Sequence, residues 1–335
     1  MSDFSVPVRL RDKVSSGGGT SLWKWGAGAA GAAAVGAAAF NLVRARRAEE
    51  ANPPEGSFVE VDGVRLHYVE RGKGPPVVLL HGNGTMIQDW LASRVFDALA
   101  ATHRVVAFDR PGFGHSGRPR SRVWTPPAQA RLIAAALKKL GVGEATIVGH
   151  SFATLVAAEM GLDRRDVAGS LVLIGGYYYP SVRMDAALAS PQALPVIGDA
   201  ICHIVSPFLG TAMKPGMEAQ IFAPAPVPAA WRALFPFEMT LRPSQLRAGA
   251  AEAALIVPAA ASIAPRLGGL DLPVTLVAGD GDKVVSTSDQ SERLAGDLAG
   301  SELLVVKGAG HMVHHTAKDA VVSAIRAAST RRSGK

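Results

Sequence analysis

At 335 residues, with 48 % hydrophobic and 19 % charged side chains, the chain is long enough for a large buried core and too apolar to be disordered along its length. The formal charge of +7 does not describe a nucleic-acid-binding surface: residues 1–51 hold seven Lys/Arg against four Asp/Glu and residues 329–335 add +3, which leaves the body near neutral. Cys202 is the only cysteine, which excludes an intramolecular disulfide and a cysteine-rich metal site.

Residues 1–24, with the run Ser15-Ser16-Gly17-Gly18-Gly19-Thr20, read as a flexible tail. Residues 25–43 carry no charge, contain nine Ala and four Gly, and are closed by Arg44, Arg46 and Arg47. As a helix this stretch is about 28 Å long, close to the hydrocarbon thickness of a bilayer. Trp23 and Trp25 at one end and the arginines at the other suit the two interfaces, so the preferred expectation is a membrane-anchor helix with the folded body in the cytoplasm. Two alternatives stay open, a soluble Ala-rich tail and a cleaved signal peptide. Ala37-Ala38-Ala39 has the small side chains of a cleavage site, whereas the arginines behind it oppose translocation. Arg9, Arg11, Lys13 and Lys24 ahead of the segment leave its orientation open.

Residues 44–55, with Asn52-Pro53-Pro54, are expected to be a linker. Beyond them the apolar pattern becomes that of strands. Phe58 to Val61, the turn Asp62-Gly63 and Val64 to Val69 predict a hairpin. Short apolar runs then recur at Val77 to Leu80, Val105 to Phe108, Ala145 to Val148, Leu171 to Ile174, Val274 to Ala278 and Leu303 to Val306. Runs of this kind suit strands buried on both faces. Helical patterns lie between them, at Pro127 to Leu140, Phe152 to Met160 and Gln290 to Leu298. The alternation predicts an α/β fold with a mostly parallel, doubly wound sheet over residues 56–176 and 264–330. Residues 177–263 interrupt it with a Pro-, Ala- and Met-rich stretch that lacks a convincing strand and is too long for a loop, so a helical lid is expected there.

Gly149-His150-Ser151-Phe152-Ala153 follows one predicted strand and precedes a helix, the setting in which a G-x-S-x-G turn exposes a nucleophilic serine. Ala153 departs from the final Gly of that pattern. A serine of this kind needs an acid and then a histidine downstream, and both follow strand ends: Gly279-Asp280-Gly281-Asp282 after one, Gly308-Ala309-Gly310-His311 after the next. Together with His81-Gly82-Asn83-Gly84 and Asp109-Arg110-Pro111-Gly112-Phe113-Gly114-His115-Ser116, these pieces resemble the α/β-hydrolase family over roughly residues 56–328. The likeness is to its lid-bearing branch of carboxylesterases, lactonases and carbon–carbon hydrolases.

The resemblance implies a serine hydrolase in which Ser151 forms an acyl intermediate and His311 is the base. It implies Asp282, in preference to Asp280, as the partner of His311. The oxyanion of a tetrahedral intermediate needs donors, each worth about 3 kcal/mol. The backbone N–H of Phe152, just after the nucleophile, is one, and the resemblance puts the other on Asn83. His81 is expected to be structural, His150 to line the pocket or pack the elbow, and His314 and His315 to face solvent or the lid. Those last two and His311 have no carboxylate or cysteine at metal-ligand spacing, so no metal is expected, and no cofactor motif appears. Serine at 151 disfavours an epoxide hydrolase or haloalkane dehalogenase, whose nucleophile would be a carboxylate. A small-molecule substrate is expected, ester-like and apolar if Met184, Ile201, Met213, Met217, Phe222, Trp231, Phe235, Phe237 and Met239 face the cleft rather than one another. A low-turnover ligand-binding protein or receptor on the same fold is the alternative from another class, and nothing in the residues fixes the oligomeric state.

Overall fold

The computed structural model describes residues 19–331. The expected tail therefore lies mostly outside the described residues, and the first helix already begins at Gly19.

Eight strands form one sheet: β1 (Ser57–Val61), β2 (Val64–Arg71), β3 (Pro76–Leu80), β4 (Arg104–Phe108), β5 (Ala145–His150), β6 (Ala168–Ile174), β7 (Val274–Gly279) and β8 (Glu302–Val306). Their order is β1-β2-β4-β3-β5-β6-β7-β8. Only the β1–β2 and β2–β4 pairs are antiparallel. From β4 to β8 every neighbour is parallel, so their carboxyl ends share one edge.

Continuous apolar runs become central strands because both faces of the sheet are covered. In β3, Val78 and Leu80 join the core on one face, Val77 and Leu79 the core on the other, and all four are fully buried. The helices Pro126–Lys139 and Ala153–Asp163 cover the first face, and Val95–Ala100 and Lys318–Thr330 the second. Thr125 starts the first of these helices by accepting the Ala128 N–H on its hydroxyl, with Pro126 in the first turn, where no N–H is missed. The chain order reverses beside β3, which has β4 on one side and β5 on the other, and that switch point is where an open α/β sheet leaves a crevice.

Residues 177–263 contain no strand among the described residues. Their main helices are Ile197–Ile204, Ser206–Phe222 and Pro243–Ile263, lying over the carboxyl edge of the sheet.

The N-terminal helix runs without a break from Gly19 to Ala51, so the linker expected at 44–55 is helical over most of its length. The partners that hold it are far away in sequence. Arg44 donates to Glu238 and Thr211 (2.6 and 2.8 Å), Arg242 to Glu49 (2.7 Å) and Asn41 to the His203 carbonyl (2.8 Å). Ala48 is buried in a small cluster with Phe222, Trp231 and Met239. Ahead of these contacts the helix is bare. Within Lys24–Ala51, the most apolar 18-residue window is 6 % buried. Pro243–Gly269 is also long and apolar enough to cross a membrane, but it packs over the sheet and places Glu252 in a buried ion pair.

Candidate active site

Ser151 sits in the sharp turn between β5 and the helix Ala153–Asp163, with φ of +53°, a conformation rare for a residue with a side chain. Two features hold it there. Its N–H donates to the Ile174 carbonyl at 2.9 Å, and strand and helix approach so closely that a Cβ at Gly149 would lie 2.5 Å from the Ala153 carbonyl oxygen. Glycine is therefore required at 149. Ala153 itself is fully buried as the first residue of its helix, so the elbow accommodates the methyl by which it departs from the five-residue pattern.

Across the carboxyl edge, the turns after β7 and β8 bring two side chains to the serine. His311 Nε2 lies 2.9 Å from Ser151 Oγ, and His311 Nδ1 lies 2.8 Å from Asp282 Oδ2. The other Asp282 oxygen accepts the N–H groups of Val284 and Val285 at 2.8 and 2.9 Å, which leaves Oδ2 for the imidazole. Burial alone would raise the Asp282 carboxyl, but the charge and hydrogen bond of His311 and the two amides outweigh it and hold it below the usual carboxylate range. Asp280 is occupied elsewhere, accepting the Gly308 N–H at 2.7 Å and so closing the turn that leads to His311.

The loop after β3 lies against the elbow. A Cβ at Gly82 would come within 2.9 Å of His150 Nδ1 and 3.2 Å of Ser151 Cβ, so only glycine lets this backbone so near. Asn83 follows, its side-chain amide donating to the Gly249 carbonyl at 3.1 Å. The backbone N–H groups of Asn83 and Phe152 make no hydrogen bond among the described residues.

Arg110, from the loop after β4, fixes this arrangement. Its guanidinium donates to the carbonyls of His81 and Gly82 (2.7 and 3.0 Å) and to both oxygens of Glu252 (2.5 and 2.9 Å), with both side chains fully buried. Its backbone N–H donates to His81 Nε2 at 2.9 Å, and burial, reinforced by Arg110, pushes the His81 imidazole down to about 3. The sequence marks Arg110 only as part of the run Asp109 to Ser116 and gives no pairing of it with Glu252. The one local signal of the pair is the lone carboxylate within the apolar run Ala250 to Ile256.

Behind His311 lies a second cluster. His150 Nε2 is 3.1 Å from the His311 carbonyl oxygen, so His150 packs behind the elbow and holds the backbone of His311. His314 and His315, expected at solvent or lid, are instead buried, with side-chain exposures of 0 % and 1 %. Their Nε2 atoms lie 3.0 and 2.7 Å from Asp89 Oδ1. No carboxylate stands at metal-ligand spacing in the sequence, and the one that meets them in the fold comes from 225 residues away. Together the three offer ligand atoms within 4.8 Å of one another. Burial holds His150 and His314 well towards the neutral form, so His314 donates its Nε2 proton to an Asp89 carboxylate.

A cavity of about 370 Å³ lies between the helical insertion and the loop after β3, lined by Asn83 and Gly84 on the loop and by Leu209, Met213, Met217 and Leu246 on the insertion; Ser151 and His311 are not among its lining residues. Of the apolar insertion residues read from sequence, Met213, Met217 and Phe237 line it, whereas Phe222, Trp231, Phe235 and Met239 pack together and Met184 is exposed.

Known proteins share this architecture. An esterase from Thermogutta terrifontis superposes with a TM-score of 0.64 at 22 % identity, over 81 % of this chain and 97 % of that one. An enol-lactonase from Burkholderia xenovorans gives 0.62 at 19 % identity, over 82 % and 100 %. In sequence, haloalkane dehalogenase 2 of Mycobacterium bovis is 30 % identical over 129 residues, 38 % of this chain and 44 % of that protein. A 2-hydroxy-6-oxononadienedioate/2-hydroxy-6-oxononatrienedioate hydrolase of Burkholderia vietnamiensis is 37 % identical over 116 residues, 34 % and 40 %. The chain thus matches less than half the length of these curated relatives. The family described as alpha/beta hydrolase fold matches residues 75–318, and the chain belongs to it.

Proposed function

We propose that the protein is a serine hydrolase that forms an acyl ester on Ser151. The observation that carries this reading is the position of His311, within hydrogen-bond reach of Ser151 Oγ on one side and Asp282 on the other. A serine hydroxyl is a weak nucleophile at neutral pH, so His311 takes its proton as attack occurs, and Asp282 holds the tautomer and stabilises the imidazolium. The N–H groups of Phe152 and Asn83 receive the oxyanion. His311 then returns the proton to the leaving group, and water repeats the cycle on the acyl ester.

Relatives and fold neighbours include an esterase, an enol-lactonase, a dehalogenase and a carbon–carbon hydrolase. A hydroxyl at 151 forms acyl rather than alkyl esters, which favours acyl transfer over dehalogenation. The cavity walls favour a small, apolar ester-like substrate. A lactone or a vinylogous diketone is the second reading, favoured by the 37 % identical carbon–carbon hydrolase segment.

A panel of p-nitrophenyl esters of rising chain length, with lactones and a vinylogous diketone, separates these readings. Turnover of esters by the wild type, lost in Ser151→Ala, is expected. Saturable binding without turnover of any of them would favour the ligand-binding alternative. We propose further that the bare part of the N-terminal helix anchors the protein in a membrane, with Arg44, Arg46 and Arg47 and the folded body on the cytoplasmic side. Equal solubility of the full chain and a form lacking residues 1–50 would contradict that.

A further inference from the structure

Twenty large apolar side chains are exposed among the described residues, and their distribution is uneven: twelve lie within 177–263 and five on the N-terminal helix. The two groups meet. Phe40 stacks on Phe208 with ring centroids 5.8 Å apart, and the next turn of the N-terminal helix is tied down through Asn41 and Arg44 to His203, Thr211 and Glu238. The base of that helix is thus fixed against the segment 197–211, where Ile197, Val205 and Phe208 are exposed. On the helix Ser206–Phe222, Leu209, Met213 and Met217 recur at every fourth position and form one stripe, 46–53 % exposed. The same three side chains line the cavity that Asn83 and Gly84 also line. The apolar surface therefore continues as far as the loop that carries Asn83, a proposed oxyanion donor.

We propose that this face of the insertion, from Ile197 to Met217, rests on the bilayer that holds the N-terminal helix, and that the cavity takes a lipophilic acyl ester directly from that bilayer. The proposal rests on the hydrolase and anchor readings above. A lipid surface suits these observations better than a protein groove, because the bare helix is apolar all round, without the polar face that a one-sided protein contact would leave in water. Trp25 and Phe40 are separated by about 23 Å of helix, and Arg44, Arg46 and Arg47 follow within two turns, at the depth of lipid headgroups. Docking of that junction onto 197–211 fixes the insertion at the same level. The stripe Leu209, Met213 and Met217 then forms the mouth through which an acyl chain passes from lipid to Ser151.

The test uses the full chain reconstituted in phosphatidylcholine–phosphatidylglycerol vesicles. In a Cys202→Ser background, an environment-sensitive fluorophore is attached at Val205→Cys and, as a control at the far edge of the sheet, at Ser301→Cys. The label at 205 is expected to brighten several-fold with vesicles and to be quenched by lipids brominated in their tails, while the label at 301 does neither. A label at 205 that stays as wet as that at 301 in protein floating with the vesicles would overturn the docking and leave the anchor. A label already dry without lipid would overturn it in favour of a protein contact. In parallel, Ile197→Glu/Val205→Glu is expected to lower turnover of a vesicle-borne long-chain ester about tenfold, with a soluble short-chain ester unaffected. Equal rates for wild type and variant on both esters would overturn the access route. Failure of the hydrolase reading is seen separately, as Ser151 that takes no fluorophosphonate in the same vesicles.

Discussion

In the proposed mechanism Ser151, His311 and Asp282 divide the chemistry, and each can be removed separately. Asp282→Asn keeps the size of the residue but favours the wrong imidazole tautomer, and is expected to lower kcat by about 10⁴-fold with little change in KM. The measurement is steady-state kinetics on the best p-nitrophenyl ester, and a loss below tenfold would deny Asp282 its role. Asp89 is a different case, because it touches none of the proposed reacting atoms. It accepts from His314 and His315 in a fully buried position, so Asp89→Ala leaves two buried imidazoles without an acceptor. The expected destabilisation is about 2–4 kcal/mol by urea unfolding, which surface aspartates such as Asp319 would not match. A residue-by-residue reading of the chain singles out Ser151, Asp282 and His311, which the fold brings within hydrogen-bond reach, because each follows a strand and carries its own local motif. It could not identify Asp89 or place His314, because their meeting depends on a contact across 225 residues that no local pattern announces.

Elements were legible to the extent that their stabilising contacts are local or repeated. The strands were, because a buried parallel strand must be apolar on both faces, and the runs at Val77, Val105, Ala145 and Val274 are. The end of the N-terminal helix was not. Its charged final turns look like a solvated linker until Glu238 and Arg242 are brought alongside. The insertion was legible as helical, but which of its apolar residues wall the cavity is decided by packing alone. Arg110 and Glu252 join that insertion to the loop carrying Asn83, and breaking a fully buried pair on one side leaves an uncompensated charge. Glu252→Ala is expected to cost about 3–5 kcal/mol in stability. Arg110 would then lose the partner that aims it at the Gly82 carbonyl, so the fraction that remains folded should also have a lower kcat. Unchanged stability in denaturant titration would mean that the insertion is held by other contacts.

At the scale of the whole molecule, the carboxyl edge of the sheet collects buried groups that titrate with the same sign. His81, His150 and His314 are all kept neutral by burial, so the unfolded chain takes up protons near pH 6.5 that the folded chain refuses. Their contribution to stability is complete above that pH and is lost as the pH falls towards their lowered folded values, at up to about 1.4 kcal/mol per pH unit for each. Asp89, Asp109 and Asp282, held below the usual carboxylate range, add losses of the same direction at more acidic pH. The urea midpoint is therefore expected to fall steadily from pH 7.5 to pH 5. A flat profile over that range would mean that the histidines protonate freely in the folded protein.

If His311 activates Ser151 as the nucleophile, Ser151 alone reacts covalently with a phosphonylating reagent. The folded full-length protein, treated with a fluorophosphonate, is digested and the adduct located by mass spectrometry. One adduct is expected, on Ser151, absent in Ser151→Ala and formed far more slowly in His311→Ala. Folded wild-type protein that stays unlabelled, or that is labelled on another serine while Ser151 is not, would contradict it.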